Sequence, residues 1–362
     1  MLTYFRGATA RHHHFMAVAI SLAQVTLFSK PSILLHRNAI IGFSFSIPFS
    51  SSSAHKIQTH KWRQRWSRFW SLVESRLAEM DDPTNNVPDA IFLKLGMQLH
   101  RRDQHPIGIL KNAIYDYFDA NYSNKFDKLD DLCPIVSTKE NFDDVLVPPD
   151  HISRSYNDTY YIDSQTVLRC HTSAHQAELL RRGHTHFLVT GDMEGVRVFF
   201  PGDWETSGMD GTPYAAEDLK KCLDGLAQHL FGNVEMHWID TYFLSPTHHL
   251  NLDILSGMLL IWLVEKWLEV LGCGVTEQEI LQKSGKTGNV AWAFGLGLER
   301  LAMVLFGIPD IRFFWSTDER LTSQFSKDQL GVKFKPFSKY PPCYKDMSFG
   351  LMSSQKTIYV RL

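Results

Sequence analysis

At 362 residues with 44% hydrophobic content, the chain has room for two domains and a large core. Charge is uneven: residues 1–73 hold nine Lys or Arg and no Asp or Glu, giving +9, while the remainder carries −11, a poor balance for a body that must hold RNA phosphates on its own surface. Five cysteines, scattered and free of any Cys-x-x-Cys pair, argue for reduced thiols and against a zinc knuckle or a disulfide scaffold.

The acid-free start, with Arg6, Arg11, Arg37 and the Ser50 to Ser53 run, has the composition of an organellar transit peptide, and residues 1–80 are assigned to it and a non-conforming N-terminal segment. A secretory signal is the competing reading, because Phe15 to Phe28 is apolar behind basic residues. Ser21, Gln24 and Thr26 interrupt that run, and no small-residue cleavage pattern follows it. Trp62, Trp66 and Trp70 recur every four residues among Arg63, Arg65 and Arg68. That is a basic amphipathic helix, suited either to a membrane surface or to the tail of a presequence.

Asp81 to Pro88 is Pro/Asn/Asp-rich and reads as a linker. Apolar residues at Ile107, Leu110, Ile114, Tyr117 and Phe118 predict a helix over 107–118. Phe187 to Thr190 and Val196 to Phe200 are β-rich, Ala215 to Phe231 is an amphipathic helix, and Val234 to Phe243 reads as a strand. The apolar run Ile254 to Val264 has 11 residues, too few to span a bilayer, so no membrane partner is expected. Trp267 to Val275 and Val290 to Phe294 are further strands. Long antiparallel strands with helices on one side predict an α+β domain.

Residues 291–306 are the most informative stretch. An aromatic-apolar strand meets Gly295 and Gly297, then Glu299 and Arg300, then a helix with apolar Leu301, Val304 and Leu305. Glycine permits close ligand approach, and an arginine fixed at such a turn offers an always-charged fork for phosphate. This is no dinucleotide fingerprint, since a third glycine is missing and no parallel βαβ unit surrounds it. Ser284-Gly285-Lys286-Thr287 imitates the end of a P-loop, but Ile280 stands where its first glycine belongs. His171 and His175 are spaced like a zinc pair, but Thr172 stands where a metalloprotease helix has Glu, so no protein metal site is expected. Thr172 or Ser173 could equally be a helix cap.

The stretch resembles motif 3 of the class II aminoacyl-tRNA synthetases. With Gly272-Cys273-Gly274-Val275 upstream and Ile308-Pro309-Asp310-Ile311-Arg312 downstream, it is most similar to their single-chain organellar phenylalanyl branch. The resemblance runs over residues 81–349, leaving 350–362 as a divergent tail, and implies a catalytic core with an antiparallel sheet flanked by helices. It implies formation of phenylalanyl-adenylate from phenylalanine, ATP and Mg²⁺, followed by charging of tRNA(Phe), by a monomer in mitochondrion or chloroplast. Arg300 would bind the ATP γ-phosphate as the catalytic arginine, with Glu269 and Phe294 lining the site. Thr172, Ser173, Ala174 and His175 would hold the amino acid, and Glu194 would bind its ammonium group.

Three departures from the family are expected to matter. Asp192 joins Met193-Glu194-Gly195 directly, where relatives carry a hairpin with the arginine for the ATP α-phosphate. Such a splice should cost part of a central strand pair. Leu244 to Leu252 replaces a Pro-Phe-Thr-x-Pro-Ser-Phe-Glu-Leu run that forms the side-chain pocket, and one base of shift in a back-translation restores that run. A frame change interrupting residues 244–264 is therefore expected, and a transcript read without one sinks the idea. After Tyr340 to Phe349 the chain stops within 13 residues, where relatives continue into an anticodon-binding domain.

Overall fold

The computed structural model describes residues 82–240, 256–263 and 266–337. The expectations for the presequence, for 241–255 and for the C-terminal tail lie outside them. Helix α1 (Pro106–Tyr122) begins at a proline that needs no amide partner, behind His105, whose ring accepts the Ile107 N–H. It ends at Ser123 in a left-handed conformation. The buried face includes the five predicted apolar positions.

Seven strands form one sheet in the order β1-β5-β6-β10-β9-β8-β7. They are β1 (Asp127–Leu129), β5 (His186–Thr190), β6 (Met193–Phe199), β7 (Met236–Asp240), β8 (Ser256–Leu263), β9 (Lys266–Val275) and β10 (Val290–Leu296). Only β1 and β5 run parallel; the other pairs are antiparallel. A small sheet, β2 (Ile135–Ser137), β4 (Thr166–Leu168) and β3 (Tyr161–Asp163), stands beside it. Ser256–Leu263, for which periodicity offered no element, lies between β7 and β9 as a full strand. No helix among the described residues is long and apolar enough to cross a membrane.

Alternation along β6 sorts the two faces. Met193 and Phe199 join the larger core with α1 and α3 (Gly211–Phe231). Val196 and Val198 join a second core with Leu179 and Leu180 of α2 (Gln176–Arg181) and Ile280 and Leu281 of α4 (Gln278–Lys283). Helix α5 (Leu298–Phe306) follows β10 and closes at Gly307, whose φ of 66° is the left-handed C-cap.

Three expectations need correction. Helices cover both faces of the sheet rather than one side, because β6 is apolar on both its faces. The segment before Pro88 is docked and is no free linker. Asn86 donates to the Tyr156 and Thr159 carbonyls at 2.8 and 2.9 Å and accepts from the Tyr161 amide at 2.6 Å, while Val87 is buried. Strand β6 stops at Phe199, because Pro201 opens a short helix (Pro201–Glu205) and leaves Phe200 exposed.

Candidate active site

The junction at Asp192 decides the local geometry. Strands β5 and β6 pair over five positions, from His186 opposite Arg197 to Thr190 opposite Met193, and only Gly191 and Asp192 form the turn. The expected loss of a central strand pair does not occur, because the two strands meet in register across a two-residue connection.

Glu194 is 2% exposed and points away from α1 and α3. The hydroxyls of Ser173 and Thr172 donate to its carboxylate, leaving Oε2 unpartnered. Burial pushes this carboxyl up to about 7, against the pull of those hydroxyls and of the Arg169 charge. Directly across the ladder stands Gly295, which is exposed, with no atom within 4 Å of where a Cβ would sit. Gly295 in turn pairs with Gly272 of β9. Partners in a ladder share a face. A buried acceptor therefore lies at the edge of a floor without side chains, where a flat ligand could approach the backbone.

Arg300 is half-buried in the first turn of α5, and its charge acts on Glu269 of β9. Burial raises the Glu269 carboxyl, and the arginine opposes that shift. The structure thus brings Arg300 together with Glu269, and Glu194 together with Thr172 and Ser173.

The other predicted residues fall elsewhere. Phe294 is 2% exposed, and its ring stacks on Phe118 of α1 at 5.9 Å. It occupies the space over Gly195, where any Cβ would collide with the ring. Phe294 therefore serves the core on the opposite face from Glu194, because alternation along β10 sends it there when Gly295 faces the site. Ala174 packs into the core of the small sheet with Val136, Phe142 and Val167, and His175 is wholly shut off from solvent.

Comparison with known proteins identifies the family of the chain. The family model for the class II core domain of tRNA synthetases matches residues 92–192 and 211–325. An Arabidopsis thaliana protein named as the chloroplastic/mitochondrial phenylalanine–tRNA ligase is 64% identical, covering 91% of this chain and 80% of that one. The mitochondrial phenylalanine–tRNA ligase of Mus musculus is 39% identical over 76% of this chain and 70% of its own. That of Dictyostelium discoideum is 38% identical over 74% and 71%. The chain belongs to the phenylalanine–tRNA ligases of class II. The first stretch of the family match ends at Asp192, where the two-residue turn stands.

Within this ligase core, sequence reasoning assigned no role to Arg169, Asp192 or Glu299. Arg169 follows β4, and its Nη2 donates to the Thr190 carbonyl at 3.0 Å. Its Nη1 is sealed from solvent and unpartnered, although the residue as a whole is only half-buried. Glu299 and Asp192 hydrogen-bond through their carboxyls. Burial and then the Asp192 charge push Glu299 up to about 8, so this acid holds a proton near neutrality. Burial raises Asp192 as well, opposed by Arg169. Two carboxyls this close share a proton because both cannot ionise cheaply. The available signal was the Glu-Arg pair itself: an acid beside an arginine in the first turn of a helix needs its own partner.

Proposed function

We infer that this chain is an ATP-dependent phenylalanine–tRNA ligase of organelles. It would activate phenylalanine by attack of the substrate carboxylate on the α-phosphorus of ATP. The bond to pyrophosphate breaks, and the acyl group then passes to a hydroxyl of tRNA(Phe) with loss of AMP. The names of its relatives support the organellar setting and the substrates. The observation that carries the reading is the buried, half-satisfied carboxylate of Glu194 beside the open Gly295, since Oε2 lacks the one donor a substrate ammonium would bring.

Arg300 would meet the phosphates, where a preorganised cation is worth most in a water-poor site. Among the described residues no group of three or more His, Cys, Asp or Glu could hold a metal ion. Mg²⁺ would therefore arrive on the ATP phosphates, with Glu269 as the carboxylate placed to share it, the usual manner for a cation that keeps most of its waters. Bacterial relatives are named as α subunits of the enzyme, as in Helicobacter acinonychis at 26% identity. The proposal for this chain is a monomer.

Phenylalanine-dependent ATP–pyrophosphate exchange by the full chain tests the reading. Exchange above background is expected, falling by a factor of roughly 10² to 10³ in Arg300→Ala. A folded, monodisperse chain without exchange would sink it. That outcome would favour a second reading, a synthetase core that keeps the amino-acid subsite but no longer turns over, which the two-residue turn at Asp192 supports. Exchange without aminoacylation would instead mark an adenylate-forming enzyme that does not use tRNA.

A further inference from the structure

Arg169 has no part in the reaction described so far, yet its head group sits among the charged residues of the subsite. Its backbone is fixed from two sides: its amide donates to the Pro134 carbonyl at 2.8 Å, and the next amide, of Cys170, donates to the Asn141 side chain at 3.0 Å. Its guanidinium reaches under the β5–β6 turn. There Nη2 holds the Thr190 carbonyl, whose own hydroxyl shares a 2.6 Å hydrogen bond with Tyr115 of α1. A Cβ on Gly191 would collide with that same Nη2, so the turn and the guanidinium occupy one shape. The charge acts on Asp192 and Glu194 from below, and Nη1 is buried with no partner. A buried guanidinium with an unmet donor is costly unless anions face it.

We propose that Arg169 is a positioning residue of the amino-acid subsite: it pins the Gly191–Asp192 turn and supplies the positive charge that holds the Glu194 carboxylate ready for an incoming ammonium group. The proposal rests on the assignment of Glu194 to the substrate ammonium. In this chain the turn joins the strands directly, and among the described residues Arg169 is the cation that acts on both Asp192 and Glu194. The groups that act on Glu194 are the hydroxyls of Thr172 and Ser173 on the 3₁₀ turn and the Arg169 charge after β4; Arg169 also acts on Asp192, which is paired with Glu299. His171 is held neutral, pushed down to about 4 by burial, so it brings no competing charge. Strand β10, the other neighbour of β6, carries no ionisable residue.

Calorimetric titration of the full chain with phenylalanine, and separately with ATP, between pH 6 and 9 tests this. In the parent chain phenylalanine binding should strengthen as pH rises through about 7, as Glu194 ionises. Arg169→Gln should move that rise about one pH unit higher and weaken phenylalanine binding at pH 7 about fivefold. ATP affinity should hold within roughly threefold. Arg169→Lys keeps the charge and should retain most of the affinity, whereas a purely structural role would leave the pH midpoint where it was. An unmoved midpoint in Arg169→Gln overturns the proposal, as does an equal loss of ATP affinity. If the parent chain binds no phenylalanine, the functional reading fails and the charge coupling is still measurable. The pH dependence of Tm should then differ between the parent chain and Arg169→Gln, and this difference should shrink in a Glu194→Gln background, where only Asp192 still feels the charge. Equal pH dependence in all four chains would overturn the coupling as well. Should Arg169→Gln fail to fold, Arg169→Met, equally uncharged, takes its place in the same cycle.

Discussion

Glu194 is pushed toward its protonated form, because a carboxylate sealed from water and given only two hydroxyls holds its proton longer than usual. Its folded value, about 7, lies above the ordinary 4.5. The protonated form is therefore favoured in the folded chain. That contribution to stability is full below about 4.5 and disappears as pH rises through 7. Glu299, raised to about 8 by burial and by Asp192, extends the same loss toward pH 8. Binding runs the opposite way, because an ammonium ion needs the ionised carboxylate. Glu194→Gln, which cannot ionise, should then be the more stable protein at pH 8 and the poorer binder of phenylalanine. The expected gain is roughly 2–4 °C in Tm at pH 8, the effect of about 1 kcal/mol in a large domain. Thermal scans at pH 5 and pH 8 check it: a constant Tm difference at both values would show that Glu194 titrates normally.

At the scale of elements, the turn between β5 and β6 is held by one side chain and by the neighbours of each strand. Gly191→Ala should force the Arg169 head out of a site it fills, costing roughly 1–3 kcal/mol by overpacking. In an Arg169→Gln background the same substitution should cost much less, and chemical denaturation of the four chains measures the difference. Equal costs in both backgrounds would mean that the strain lies in the turn backbone instead. Much of this architecture could be read from sequence: apolar periodicity located α1, α3 and β9, and the glycine-flanked Glu299–Arg300 pair located the start of α5. The direction of Phe294 could not be read that way, since one residue of register decides which face of β10 it serves. Arg169 was missed for another reason. Its partners, Thr190, Asp192 and Glu194, lie more than twenty residues away, and nothing local to Leu168-Arg169-Cys170 reports their approach.

At the scale of the whole molecule, the sheet is indifferent to what connects β5 to β6. Strand β6 is fixed to β10 over seven paired positions, and β5 is fixed to β1 over three. Both strands are therefore held from the side, and both cores close over them without help from the turn. Lengthening a surface connection costs only about 0.6 kcal/mol per doubling of its length. A hairpin carrying an arginine, placed between Asp192 and Met193 as the resemblance implies for relatives, should be accepted without loss of the fold. It would also add positive charge near the phosphates in a body that carries −11 outside its first 73 residues. The insertion should raise ATP–pyrophosphate exchange by roughly 10² to 10³, the value of one preorganised group on a developing phosphate charge. Circular dichroism and exchange on the same preparation decide the matter. A folded insertion with unchanged exchange would mean that the α-phosphate already has its cation here, and that the two-residue turn leaves the site complete.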